Sequence, residues 1–200
     1  MAPAAIRTGR GAGALVLAAT LAGCAVAPKP SPVAADLDQQ RLYLLPYWKA
    51  EGRMGIQSQQ QAWNANLSWE HEGHQDRLRL SGPFNQGMVS IILQDRLIYI
   101  NEGKGAVEAT GDIDGALKRR LGFTVPVASL RYWMLGIPAP QGDFSRGEAG
   151  ATRQLLQQGW TLDFDRYTSF AGTRVPSKSS IRGNGVNLKL VIDRWSATKP

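Results

Sequence analysis

Cys24 is the only cysteine among 200 residues, and it closes the run Leu21-Ala22-Gly23-Cys24. A lone thiol makes no internal disulfide, so it is either a free reactive group or a site of covalent modification. The other clusters that could do chemistry are thin. His71 and His74, the only two histidines, stand in HEGH, one residue short of the His-Glu-x-x-His spacing of zinc proteases. A turn does not hold two imidazoles on one helix face as that spacing requires, so a solvated turn is expected and no metal site. Asp163 and Asp165 share one strand face, whereas glycoside chemistry needs two carboxylates opposed across a substrate. An exposed edge strand accounts for them more simply. No G-x-S-x-G elbow, P-loop or dinucleotide fingerprint is present. No catalytic residue and no cofactor are expected, and the chain does not read as an enzyme.

The cysteine gains meaning from what precedes it. Arg7 and Arg10 lead into GAGALVLAATLAG, an apolar run of secretory-signal length that is too short and too rich in glycine and alanine to span a bilayer. Residues 1–23 therefore read as a signal peptide. LAGC resembles the lipobox of bacterial lipoprotein signal peptides, in which the cysteine receives a diacylglyceryl group, cleavage exposes its amine, and the amine is acylated, typically with palmitate. That resemblance makes Cys24 the lipid attachment site. Each buried methylene adds about 0.8 kcal/mol, so several chains on one residue make a durable anchor. By the enterobacterial sorting rule, Ala25 in place of an aspartate after the cysteine favours the outer membrane, on its periplasmic face. Residues 24–35, which include AVAPKPSPVA, read as an extended tether. Residues 36–200 read as the folded domain.

Patterning places the elements that such a domain needs. DLDQQRLYLLPYW sets Leu37, Arg41, Leu44 and Leu45 at roughly helical spacing behind an Asp36 cap, with Pro46 as the stop. Trp63, Ala65, Leu67 and Trp69 alternate with polar residues, and after the HEGHQD turn Leu78 and Leu80 resume the apolar face. A further turn, SGPFNQG, carries Phe84, and MVSIILQDRLIYI then holds two strand-like runs either side of Gln94-Asp95-Arg96. DIDGALKRRL, from Asp112 to Leu121, suits a helix with acids first, basic residues last and Gly122 as the stop. Pro126 opens a second helix bearing Leu130, Trp133, Met134 and Ile137 on one side. Strands return in RQLLQQGWTLDFD, with a tight turn at Gln158-Gly159, and in SSIR and VNLKLVIDRW around Gly183-Asn184-Gly185. Strands, a helical insert and strands again predict one α+β domain dominated by an antiparallel sheet.

Composition narrows the partners. The formal charge is +7, but no Lys/Arg run exceeds Lys118-Arg119-Arg120 and no nucleic-acid motif is present, so nucleic acid is not expected. Six tryptophans on a sheet with one apolar face could fill a core, stack on cell-wall sugars or line an apolar cavity. A membrane-tethered sugar-binding module would turn its aromatics to solvent. A lipid carrier would turn Trp63, Trp69, Trp133 and Trp160 inward, since a sheet curled round an apolar ligand is a recurrent way to carry lipid through water.

Several local signatures coincide in order: the lipobox, Gly52-Arg-Met-Gly-Ile56, Ser81-Gly-Pro-Phe-Asn-Gln-Gly87, PVASLRYWMLGIP from Pro126 to Pro138, LQQGWTLDF from Leu156 to Phe164, Val175-Pro176, and LKLVIDRW. Together they resemble the outer-membrane lipoprotein receptor family LolB across essentially the whole mature domain. The resemblance implies an incomplete antiparallel β-barrel, a strongly curved sheet whose concave apolar face is covered by helices. It implies a protein that takes acylated lipoproteins from the periplasmic carrier LolA and inserts them into outer-membrane lipid, without a cofactor. Family members carry an exposed apolar residue on a protruding loop that serves membrane insertion, and Phe84, after Pro83, matches it. The candidate acyl-chain cavity takes Trp63, Leu67, Trp69, Leu78, Leu80, Ile92, Leu130, Trp133, Met134, Trp160, Leu162, Leu188 and Leu190. A monomer is expected.

Overall fold

The period-two runs of the sequence become strands that wrap around one apolar core. The computed structural model describes residues 32–59, 61–82, 87–101, 108–150 and 152–198. Cys24 and the Pro83-Phe84 turn lie outside the described residues. Pro32–Pro200 forms one compact unit. Its elements run α1 (Pro32–Tyr43), β1 (Tyr47–Gln57), β2 (Ala62–Glu72), β3 (Gln75–Ser81), β4 (Met88–Gln94), β5 (Leu97–Asn101) and β6 (Glu108–Thr110). Then come α2 (Ile113–Leu121), α3 (Val127–Met134), β7 (Phe144–Ala149), β8 (Thr152–Gln157), β9 (Trp160–Phe170), β10 (Thr173–Gly183) and β11 (Val186–Ser196).

All eleven strands belong to one sheet in the order β6-β5-β4-β3-β2-β1-β11-β10-β9-β8-β7, and neighbouring strands pair antiparallel. The sheet is open, since β6 and β7 are its two edges, and the α2–α3 insert sits in sequence between them. This is the antiparallel α+β domain that the patterning predicts and the incomplete barrel that the family resemblance implies. Two-residue hairpin turns set much of the register. Asp95-Arg96, Gln158-Gly159, Ala171-Gly172 and Asn184-Gly185 all take positive φ at both positions, the mirror-image turn that suits the twist of paired strands.

Where the first and last strands meet, β1 and β11 shift register between Glu51 and Gly52. A Cβ at Gly52 would lie 2.1 Å from the Val191 carbonyl oxygen. Only glycine lets the two backbones approach so closely, and the bulge bends the sheet at the centre of its curvature.

Several expectations are corrected. α1 begins at Pro32, four residues earlier than the tether boundary at 35 and 36 implies. Its buried residue is Leu42, while Leu37 and Leu44, expected on the apolar face, are 52% and 79% exposed. HEGHQD is not one solvated turn. His71 ends up buried in β2 and Asp76 buried in β3, and Gly73-His74 alone make the turn. Asp163 and Asp165 lie on β9, which is flanked by β8 and β10 and is no edge. Asp163 is buried against Arg182 at 2.5 Å and Gln154 at 2.7 Å. β6 and β7 are absent from the sequence reading, and every residue of β7 is exposed, so no alternation marks it.

Candidate functional site

The concave face is built by alternation. Met54 and Ile56 of β1, Leu67 and Trp69 of β2, Leu78 and Leu80 of β3, Ile91 of β4, and Leu188 and Leu190 of β11 are buried on it. The helical insert supplies the opposite wall. α2 is capped by Asp112, whose Oδ1 accepts from the Gly115 N–H at 3.0 Å, and it stops at Gly122 in the left-handed region. It buries Ala116 and Leu117, the connecting segment buries Phe123 and Val125, and α3 buries Val127, Leu130, Trp133 and Met134. Between sheet and insert remains a cavity of ≈ 40 Å³ lined by fifteen side chains, all of them apolar or aromatic. Pockets that bury drug-sized ligands measure roughly 300–1,000 Å³, far more than the space left here.

Leu67, Trp69, Leu78, Leu80, Leu130, Met134, Leu188 and Leu190 line that cavity as a group. The other five candidates stand elsewhere. Ile92 points to the opposite face from Ile91, which is buried and lines the cavity; an apolar pair in sequence leaves the register undecided by one residue. Trp63 is half-buried at the margin of the core. Trp133 and Trp160 pack with ring centroids 6.1 Å apart, and with Leu162 they fill core that does not line the cavity.

Larger hollows open elsewhere on the surface. One of these, ≈ 760 Å³, is bordered by Arg166, Tyr167, Lys178, Asp193, Arg194 and Trp195 among others. The Trp195 side chain on its border is already engaged. Its ring packs on Trp48 and Phe170 at 5.6 and 5.3 Å, and its N–H donates to the Pro176 carbonyl at 3.2 Å. Trp48, Trp69, Trp133 and Trp160 are buried and Trp63 and Trp195 half-buried. A sugar-binding module would need exposed rings, and none of the tryptophans is exposed.

Two polar clusters that the sequence reading missed hold α3 in place. Asp76 is 3% exposed, and its Oδ1 accepts from Trp69 Nε1 and His71 Nδ1, both at 3.0 Å. Its Oδ2 accepts from Arg131 Nη1 of α3 at 2.9 Å. Burial pushes the Asp76 carboxyl up, but the hydrogen bonds from His71 and Trp69 and the charge of Arg131 outweigh it and leave the pKa below its ordinary value. The ionised carboxylate only accepts, so His71 carries its proton on Nδ1. Burial likewise pushes Arg131 down, and Asp76 and Tyr132 reverse that.

The second cluster is Gln157, at the end of β8. Its Oε1 accepts from Trp133 Nε1 at 2.8 Å and from the Ala139 N–H at 2.7 Å. Its Nε2 donates to the carbonyls of Ala139, Gln141 and Gly142 at 2.9, 3.1 and 3.3 Å. Beside it, Ser129 Oγ donates to Gln158 Oε1 at 2.9 Å. No sequence signal marks either cluster, because each joins residues that only the fold brings together. No group of three or more potential metal ligands occurs among the described residues.

Comparison with known proteins agrees with this architecture. The chain is 31% identical over 188 residues to an outer-membrane lipoprotein LolB of Chromohalobacter salexigens, covering 90% of this chain and 87% of that relative. It is 30% identical to the LolB of Cellvibrio japonicus over 193 residues, covering 91% and 94%. Among solved structures, a LolA superfamily protein from Nitrosomonas europaea matches the fold with a TM-score of 0.51 at 7% identity, covering 83% of this chain and 94% of that one. The family model described as outer membrane lipoprotein LolB matches residues 46–195. With the curved sheet, its helical cover and the apolar space between them, this places the chain in the outer-membrane lipoprotein LolB family.

Proposed function

We propose that this protein receives acylated lipoproteins from a LolA-type periplasmic carrier into the apolar cavity and inserts them into the outer membrane, where it is itself anchored through lipid on Cys24. Family membership supports a role in outer-membrane lipoprotein localisation. The observation that carries the finer reading is the cavity itself, whose every wall residue is apolar and which lies under a helical insert. Three chains of about sixteen carbons would cost on the order of 35 kcal/mol to expose to water, at about 0.8 per methylene. Transfer therefore passes apolar surface to apolar surface and involves no catalytic step or cofactor. Part of the helical insert opens to admit the chains, and closes over an empty cavity once they leave.

Delivery to the bilayer is assigned to the turn carrying Pro83 and Phe84. Burying one phenylalanine in lipid contributes about 1.5–3 kcal/mol, enough for a repeated, reversible touch and too little to anchor a protein. The test is the Phe84→Glu variant in a reconstituted assay with loaded carrier and outer-membrane lipid vesicles. It is expected to fold and accept the client while failing to deliver it. Normal delivery by that variant would remove the loop from the mechanism.

A further inference from the structure

α3 is fastened on both sides of the open sheet. On one side Arg131 meets Asp76 of β3 at 2.9 Å. On the other, Trp133 and Ser129 meet Gln157 and Gln158 at the β8–β9 turn, at 2.8 and 2.9 Å. β3 and β8 lie on opposite sides of the central β1–β11 pair, so α3 spans the two wings. The Asp76 end is the stronger fastening. Its carboxylate is buried and takes three donors, one of them a guanidinium, which makes that bond charge-assisted. Withdrawing Arg131 would leave Asp76 a buried charge without its cation, which is strongly opposed. A helix held this way is a poor candidate for the part that moves.

The remainder of the cover touches the cavity through Leu117, Phe123 and Val125. Glycines bracket α2. Gly122 takes φ 77° at its end, and a Cβ added at Gly111 before it would meet nothing within 4 Å. Element-terminal residues of this kind absorb hinge motions.

We propose that Asp76 is a positioning residue for acyl-chain uptake: through Arg131 it fixes α3 as a strut between the wings, so that the cavity opens by movement of α2 and residues 122–126. The proposal rests on the reading of the cavity as an acyl-chain site. α3 then presents Val127, Leu130 and Met134 as a preformed wall, and only the α2 side is reordered when a chain enters.

The test is hydrogen exchange on the full chain carrying Cys24→Ser, whose own acyl chains are then absent, with cis-parinaric acid, a fatty acid that fluoresces on burial, as the probe. Saturating probe is expected to change exchange across 113–125 by about threefold or more and to leave 127–134 unchanged. Asp76→Asn keeps the shape of the side chain and an acceptor toward Trp69 but loses the charge. In it, exchange across 127–134 is expected to rise about tenfold while β9–β11 keep their protection, and probe binding to weaken about fivefold. Arg131→Met approaches the same pair from the helix and is expected to match, so a folding fault peculiar to one variant is recognised. Equal probe-induced changes in both segments overturn the strut. So does α3 exchange that stays unchanged in the variants, or rises only together with β9–β11. If no form binds the probe, the acyl-cavity reading falls, while α3 exchange in the two variants still decides whether Asp76 holds the helix.

Discussion

Gln157→Leu isolates the other fastening of α3. Leucine is one atom shorter than glutamine and offers no polar atom. The substitution strands two buried donors, Trp133 Nε1–H and the Ala139 N–H, now held at 2.8 and 2.7 Å. It also strips a donor from three carbonyls of the segment that leads from α3 to β7. Each buried N–H left without a partner costs about 1–3 kcal/mol, so the two together cost about 2–6 kcal/mol. For a domain of this size that corresponds to a fall in Tm on the order of 5–20 °C. Equilibrium urea unfolding and a thermal melt measure it. Gln158→Leu is the control. Its own side chain is exposed and its loss strands only one buried donor, the Ser129 hydroxyl, so it is expected to cost about half as much, about 1–3 kcal/mol. If Gln157→Leu costs no more than Gln158→Leu, the hydrogen-bond geometry of this cluster does not carry the energy assigned to it.

Gly52→Ala places a methyl group 2.1 Å from the Val191 carbonyl at the β1–β11 bulge, and is expected to destabilise by about 2 kcal/mol or more in urea unfolding; a loss within error would show that the two strands part easily. The Asp76 carboxyl is held below its ordinary value in the folded state. Its contribution is therefore complete above the unfolded value of about 3.9 and is lost as pH falls from there through the folded pKa. The stability gap between wild type and Asp76→Asn is expected to narrow below about pH 4. A gap that stays constant through that range would contradict the ion pair's role.

How much of this was legible in the sequence follows from what each feature depends on. Alternation in Trp63 to Trp69 and in Leu188 to Ile192 marks strands because a half-buried sheet imposes a period of two on its own residues. Gln158-Gly159 and Asn184-Gly185 mark hairpins because the turn itself requires positive φ. Asp112 and Gly122 mark both ends of α2 for equally local reasons. Such signals fail where burial is decided elsewhere. β7 is exposed throughout and shows no period. Ile91 and Ile92 are equally apolar, and the pairing with β3 and β5 selects which one faces the cavity. Leu42 of α1 is buried in place of Leu37 because tertiary packing overrides a weak helical stripe. Asp76, His71, Arg131 and Gln157 look like ordinary surface residues until the fold gathers the first three around one buried carboxylate and buries Gln157 against the segment after α3, and the narrowness of the cavity has no trace in the sequence.

Under the proposed function, a protein-borne acyl chain enters this cavity by direct handover. The most direct measurement gives the full chain carrying Cys24→Ser a purified LolA-type carrier loaded with an acylated lipoprotein, and then asks which protein the lipoprotein accompanies. If the cavity does the binding and the tether only locates the protein, the lipoprotein passes to this chain in solution. A folded acceptor that leaves the lipoprotein on a compatible carrier would contradict it.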